Sequence, residues 1–220
     1  MQSSFLPDPL TAFAILALLG TLPFIAFVVT SFTKIVVVLG LARQALGVQQ
    51  MPPTTVLNGL AVILSAYIMA PVGSAAYDVA LPYLSNGHQI SFDVVQHVVE
   101  GAKAPFTDFL KRHADPRERK FFVKTAQSLW PKAQADLVKD DDLMVLIPSF
   151  TVSELTAAFQ IGLILYLAFV VVDFVVAAVL LSLGMSMISP TTVSIPFKLL
   201  LFVSLDGWGK LVHGLVLTYR

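Results

Sequence analysis

The sequence contains no cysteine. Disulfides, thiolate zinc sites, iron–sulfur clusters and cysteine nucleophiles are therefore excluded. Charge is scarce as well: 13% of the 220 residues are Asp, Glu, Lys or Arg, against roughly 25% in an average globular chain. The 14 basic and 14 acidic residues leave no net charge, which argues against a basic nucleic-acid binder. An ordinary soluble enzyme of this length shows more polar surface to water. Disorder is excluded by the 56% hydrophobic content. A membrane protein remains, or a chain whose apolar faces are covered by partners.

Catalytic motifs are absent too. There is no Gly-x-Ser-x-Gly and no His-Glu-x-x-His. Gly207-Trp208-Gly209-Lys210 runs into Leu211 and lacks P-loop spacing. His88, His97, His113 and His213 have no ligand-like spacing and read as surface or packing histidines. No catalytic residue, cofactor or metal is expected. No Lys or Arg precedes the first apolar run, so the basic n-region of a signal peptide is missing.

What charge there is clusters. Between Asp93 and Asp142 lie 9 acidic and 9 basic residues, 18 of the 28 charges in 50 positions. The chain thus reads as residues 1–77, N-terminal hydrophobic helices; 78–147, a hydrophilic helical insert; and 148–220, a C-terminal hydrophobic hairpin. Pro9 to Thr33 and Gln44 to Tyr77 carry no charge, and Pro71 with Gly73 is expected to end the second apolar segment. In the insert, Val94, Val95, Val98 and Val99 recur at helical spacing, Asp115-Pro116 breaks the pattern, and Lys111 to Lys124 is charge-dense with Phe121 and Phe122 interleaved. Asp140-Asp141-Asp142 reads as a helix N-terminus or solvated loop rather than a metal cluster. Two apolar runs follow, Glu154 to Leu183 and Val193 to Tyr219, around a turn-like tip from Gly184 to Pro190. Hydropathy predicts four membrane-type segments. The purely basic loop near Lys34 and Arg43 points to the cytoplasm, and the insert then to the periplasm.

Charges within membrane-type segments face protein or water. There are five here, Glu154, Asp173, Lys198, Asp206 and Lys210, expected to be buried and to serve assembly. Glu154 with Lys198 is the pair suggested, within a subunit or between neighbours. The plain reading is a packing salt bridge. Met185 and Met187 lie in the tip. On a regular helix they point about 200° apart, but a non-helical tip can turn both one way. They are either filler or a ring of soft thioethers.

Three stretches carry a family pattern: Pro148-Ser149-Phe150-Thr151-Val152-Ser153-Glu154-Leu155 with Gly162; Pro190-Thr191-Thr192-Val193-Ser194-Ile195-Pro196-Phe197-Lys198 leading to Asp206-Gly207-Trp208; and Thr30-Ser31-Phe32-Thr33-Lys34-Ile35 with Arg43-Gln44-Ala45-Leu46-Gly47 and Pro52-Pro53. Together they resemble the SctR/FliP (YscR/HrcR) family of type III secretion export apparatus proteins, in its injectisome branch. The resemblance implies an all-α fold of membrane-associated helical hairpins with a helical hydrophilic insert, assembling into a helical ring. It implies a non-enzymatic, channel-forming subunit of the export gate through which unfolded proteins cross the bacterial inner membrane. It implies a homopentamer joined by SctS/FliQ- and SctT/FliR-family partners, contacts with further export gate and basal-body proteins and with lipid, and no nucleic acid. The assembled complex is implied to sit raised towards the periplasm. Carried over by position, the family's methionine gasket falls on Met185 and Met187, turned by Gly184 and Pro190. Without the resemblance, a secondary transporter or small-solute channel is the alternative.

Overall fold

A computed structural model describes residues 12–13, 16–17, 20–21, 26–48, 50–85 and 92–220. Every regular element among them is an α-helix: α1 (Phe32–Ala45), α2 (Thr54–Ser85), α3 (Phe92–His113), α4 (Pro116–Leu129), α5 (Lys132–Ala135), α6 (Leu143–Ser182), α7 (Pro190–Ser204) and α8 (Gly207–Leu217). Most of the first apolar segment expected from sequence, Pro9 to Thr33, and His88 lie outside the described residues, as do the side chains of Val94, Val95, His97 and Val98. Two compact units form from non-contiguous pieces, residues 1–31 with 69–154 and residues 32–68 with 155–220. Helices α2 and α6 each contribute residues to both.

In the unit built from 69–154, the break at Asp115-Pro116 is a helix start with a stated cause. Asp115 accepts from the backbone N–H of Arg117 at 2.7 Å, and Pro116 opens α4 where no N–H is needed. The Asp115 N–H in turn donates to Ser153 Oγ at 2.8 Å. The acidic triplet is occupied as expected of a helix N-terminus. Asp140 pairs with Arg119 at 2.8 Å, Asp141 lies 3.9 Å from Lys111, and Asp142 accepts from the Lys139 N–H while its carbonyl starts α6. Phe109, Leu110, Leu146 and Phe150 are buried together, the rings of Phe109 and Phe150 tilted 5.6 Å apart. The hydroxyls around Phe150 turn back onto their own helix, Ser149 to the Val145 carbonyl and Ser153 to that of Ser149. Both hydroxyls are thereby satisfied within α6, beside the buried Phe150 ring.

In the unit built from 32–68 and 155–220, α1 buries Ile35, Val38, Leu39, Ala42 and Ala45, one stripe at helical spacing. Ile35, Val38 and Leu39 pack with Leu57, Ala61, Ala158 and Leu215. A second cluster joins Ala45 and Leu46 to Phe169 and Phe202. Gly47, at φ 77°, ends the turn after α1. Arg43 then clamps the loop to α2, donating to the Pro52 carbonyl at 3.2 Å and to Thr54 Oγ1 at 3.0 Å.

Two sequence expectations are corrected. Pro71 and Gly73 do not end the second apolar segment; α2 continues to Ser85. A proline removes only one backbone bond, that to the carbonyl four residues earlier, and a long apolar helix tolerates the loss; Ser74 Oγ donates to the Pro71 carbonyl at 2.9 Å. Nor is Val193 to Tyr219 one element. It breaks at Leu205-Asp206, and α7 meets α8 at 61°. Among the described residues two helices are long and apolar enough to cross a membrane, Thr54–Val79 and Leu143–Ser182, or up to three if the bent pair counts as one span.

Candidate functional site

The site is the hairpin of α6 and α7. Three contacts across it, Phe169 with Phe202, Asp173 with Lys198 and Asp173 with Ser194, pair residues nearly equidistant from position 186. The arms are therefore antiparallel and the register is set near that position. The turn between them is built by backbone rules. The Met185 N–H bonds to the Leu180 carbonyl at 2.9 Å and the Gly184 N–H to that of Leu181 at 3.1 Å, the paired bonds of a Schellman cap. Gly184 takes φ 73°, which a side chain disfavours. Pro190 opens α7 at N1, after Ser189, whose hydroxyl meets that of Thr191 at 2.8 Å.

The tip is non-helical from Leu183 to Ser189 and apolar. Met187 is 100% exposed and Met185 43%. Among the described residues none covers the Met187 side chain. A stripe leads to this tip along α6: Leu163, Leu167, Val171, Phe174 and Val175 are all exposed, at the spacing of one helix face.

Behind the stripe lies a charged network. Lys198 Nζ meets Asp173 Oδ2 at 2.7 Å and donates to the Ala45 carbonyl at 3.3 Å. Ser194 Oγ donates to the other Asp173 oxygen and lies 3.0 Å from the Thr191 carbonyl. Lys198 and Ser194 are buried, while the Asp173 side chain keeps 26% of its surface exposed. Both carboxylate oxygens and the ammonium are thus engaged, as buried charge requires. The partner of Lys198 is Asp173 and not the Glu154 that the sequence suggested. Glu154 is buried in α6, but Asp173 lies opposite Lys198 in the antiparallel register. Asp206 and Lys210, expected to be buried, are exposed on this chain.

Asp206 instead shapes the backbone. It sits at φ 52°, ψ 49° as the residue before α8, and its carbonyl accepts from the Lys210 N–H at 3.0 Å. A Cβ on Gly207 would lie 2.3 Å from the Phe202 ring, and one on Gly209 2.4 Å from the Asp206 carboxylate. Trp208 meets Phe202 edge-on at 5.3 Å. The sequence Asp206-Gly207-Trp208-Gly209 is therefore a close-packed bend rather than a binding loop.

Sequence reasoning put Lys34 in a basic loop and missed its burial: it lies within α1, its ammonium 3.8 Å from the centre of the Tyr219 ring. Its signal was a lone cation at the start of an apolar helix. Ser194 was missed too, although it precedes Lys198 by one helical turn and so shares its face. No cluster of three or more metal-ligating side chains occurs among the described residues.

The FliP family model matches residues 15–215. The chain belongs to the FliP family. It is 54% identical over 202 residues to the hypersensitivity response secretion protein HrcR of Ralstonia nicotianae, covering 92% of this chain and 93% of that one. Over 217 residues it is 49% identical to the Yop proteins translocation protein R of Yersinia pestis, covering 97% and 98% of the two chains. The virulence protein YscR of Salmonella typhimurium is 40% identical over 215 residues, 97% and 99% of the two. This FliP-family chain is a component of a type III secretion export apparatus, as the motifs indicated. Family membership supports that role and not the transporter or small-solute channel.

Proposed function

We propose that the chain is the channel-forming subunit of a homopentameric export gate in the bacterial inner membrane, a structural part with no catalytic activity, through which unfolded proteins pass. The observation that carries this reading is the α6–α7 hairpin, whose apolar outer stripe and methionine tip are left uncovered by the chain's own fold. Burying a large apolar side chain is worth about 1.5–3 kcal/mol, so such a stripe favours cover by sibling subunits, by SctS/FliQ- and SctT/FliR-family partners, or by lipid. Further export gate and basal-body proteins would meet the assembled ring. Residues 1–77 and 148–220 supply the apolar hairpins and 78–147 the periplasmic insert.

In this reading the tips of five copies surround one axis. Met185 and Met187, turned by Gly184 and Pro190, form the gasket. Thioethers exclude hydrated ions from an empty constriction and deform around a chain in transit. Glu154, Asp173 and Lys198 hold the hairpin packing, and Asp206 and Lys210, exposed on one chain, face neighbours in the ring. The test is replacement of Met185 and Met187 by Ala in the assembled complex, with ion leakage and protein export followed together. Raised leakage is expected. Unchanged leakage and unchanged export would sink the gasket, and a chain that stays monomeric with both partner families would sink the ring.

A further inference from the structure

The hydrophilic insert carries 10 acidic and 9 basic residues, but they are not spread evenly over its surface. Four of its acids are engaged inside the unit: Asp140 on Arg119, Asp141 near Lys111, Asp115 and Asp142 at helix starts. Arg119 apart, the cations of α4 are not. Arg117, Lys120 and Lys124 make no ion pair among the described residues. At 100° per residue they share an arc of about 120° with Phe121, Gln127 and Ser128, and all six are exposed. Ala126 is buried on the opposite side, with Phe122 and Val123 half-buried. Glu118, the one acid of α4, lies about 100° away from Arg117 and is half-buried. Phe121 is 58% exposed in the middle of the cations, its ring edge-on to Phe122 at 5.3 Å.

We propose that this face of α4 lies against anionic phospholipid headgroups of the membrane that holds the chain. Arg117, Lys120 and Lys124 meet the phosphates and Phe121 enters the headgroup layer. Clustered cations with an exposed aromatic beside them suit an anionic headgroup surface. Each headgroup needs only one cation, and each cation near an anionic surface is worth roughly a fivefold gain in association. The bilayer is also at hand, because residues 69–79 and 143–154 of this same unit belong to the two membrane-capable helices.

The absence of cysteine makes the test free of background labelling. The full chain carrying Gln127→Cys is labelled with an environment-sensitive fluorophore and placed in nanodiscs of phosphatidylcholine alone or with phosphatidylglycerol. A blue shift confined to the anionic discs is expected, fading as salt is raised. Replacing Arg117, Lys120 and Lys124 by Gln should abolish it, with helix content unchanged by circular dichroism. If that variant fails to fold, the salt titration of the labelled parent decides alone. Water-like emission in both lipids would make the face merely solvated and overturn the proposal. So would a shift that arises only when other secretion components are added to neutral discs, which would mark a protein contact.

Discussion

Asp173 and Lys198 face each other across the hairpin, carboxylate oxygen to ammonium nitrogen at 2.7 Å. One arm supplies the acid and the other the base, and Ser194, a turn before Lys198, holds the second carboxylate oxygen. Two long apolar helices could slide past each other with little change in buried area. A single charge pair with satisfied hydrogen bonds fixes their register, the best-attested role of buried polar groups.

Breaking that pair should be costly because one charge is left unpaired. Asp173→Ala or Lys198→Met is expected to lower stability by about 2–4 kcal/mol, below the top of the range for buried pairs since Asp173 keeps some solvent. Thermal unfolding in detergent measures this. Exchanging the two charges, Asp173→Lys with Lys198→Asp, should recover part of the loss. Exchanging Glu154 and Lys198 should recover none; recovery there would overturn the pairing.

Gly162 marks the closest approach of α6 to α1. A Cβ there would lie 2.2 Å from Leu41 Cδ1 and 3.0 Å from its Cβ. Gly162→Ala is therefore expected to destabilise by about 1–3 kcal/mol through overpacking, despite the better helix propensity of Ala. Adding Leu41→Ala should return part of it, a coupling that a double-mutant cycle reads directly.

The bend at Asp206 gives a test of opposite sign. Its left-handed backbone suits Gly and tolerates Asp, so Asp206→Gly should be neutral or stabilising by up to about 1 kcal/mol. Asp206→Val should destabilise by at least about 1 kcal/mol. Gly207→Ala should do so as well, because the new methyl meets the Phe202 ring. At Gly214, with nothing within 4 Å of an added Cβ, Ala should instead stabilise the helix.

Arg43→Ala removes both bonds that tie the loop to α2 and is expected to cost about 1–2 kcal/mol. Arg43→Lys should recover less than half, since one ammonium cannot reproduce the guanidinium fork. Guanidinium or thermal melts of the three proteins order them.

Met187→Ala should separate stability from sealing. The side chain is wholly exposed, so the melting temperature of the isolated chain should stay put, within about 0.5 kcal/mol. Leakage through the assembled complex should rise. A lowered melting temperature with no leak would reassign the residue to folding.

Composition and local pattern determined a good deal alone. Scarce charge and long apolar runs define the class, because membrane-capable helices are read from hydropathy without knowing what they touch. The break at Asp115-Pro116 and the turn from Gly184 to Pro190 were equally legible, since caps and turns depend on residues a few positions apart. The motifs of the second half sufficed for the family. Tertiary structure decided what depends on register. Lys198 took Asp173 rather than Glu154 because antiparallel arms pair positions equidistant from the tip, and the tip's centre is not visible in hydropathy. Pro71 stayed inside a helix because one lost backbone bond does not stop a long apolar helix, while Val193 to Tyr219 bent where Asp206 turned left-handed ahead of two close-packed glycines. The insert became one-sided along α4 only when folding buried Ala126 and left Arg117, Lys120 and Lys124 exposed on the opposite face.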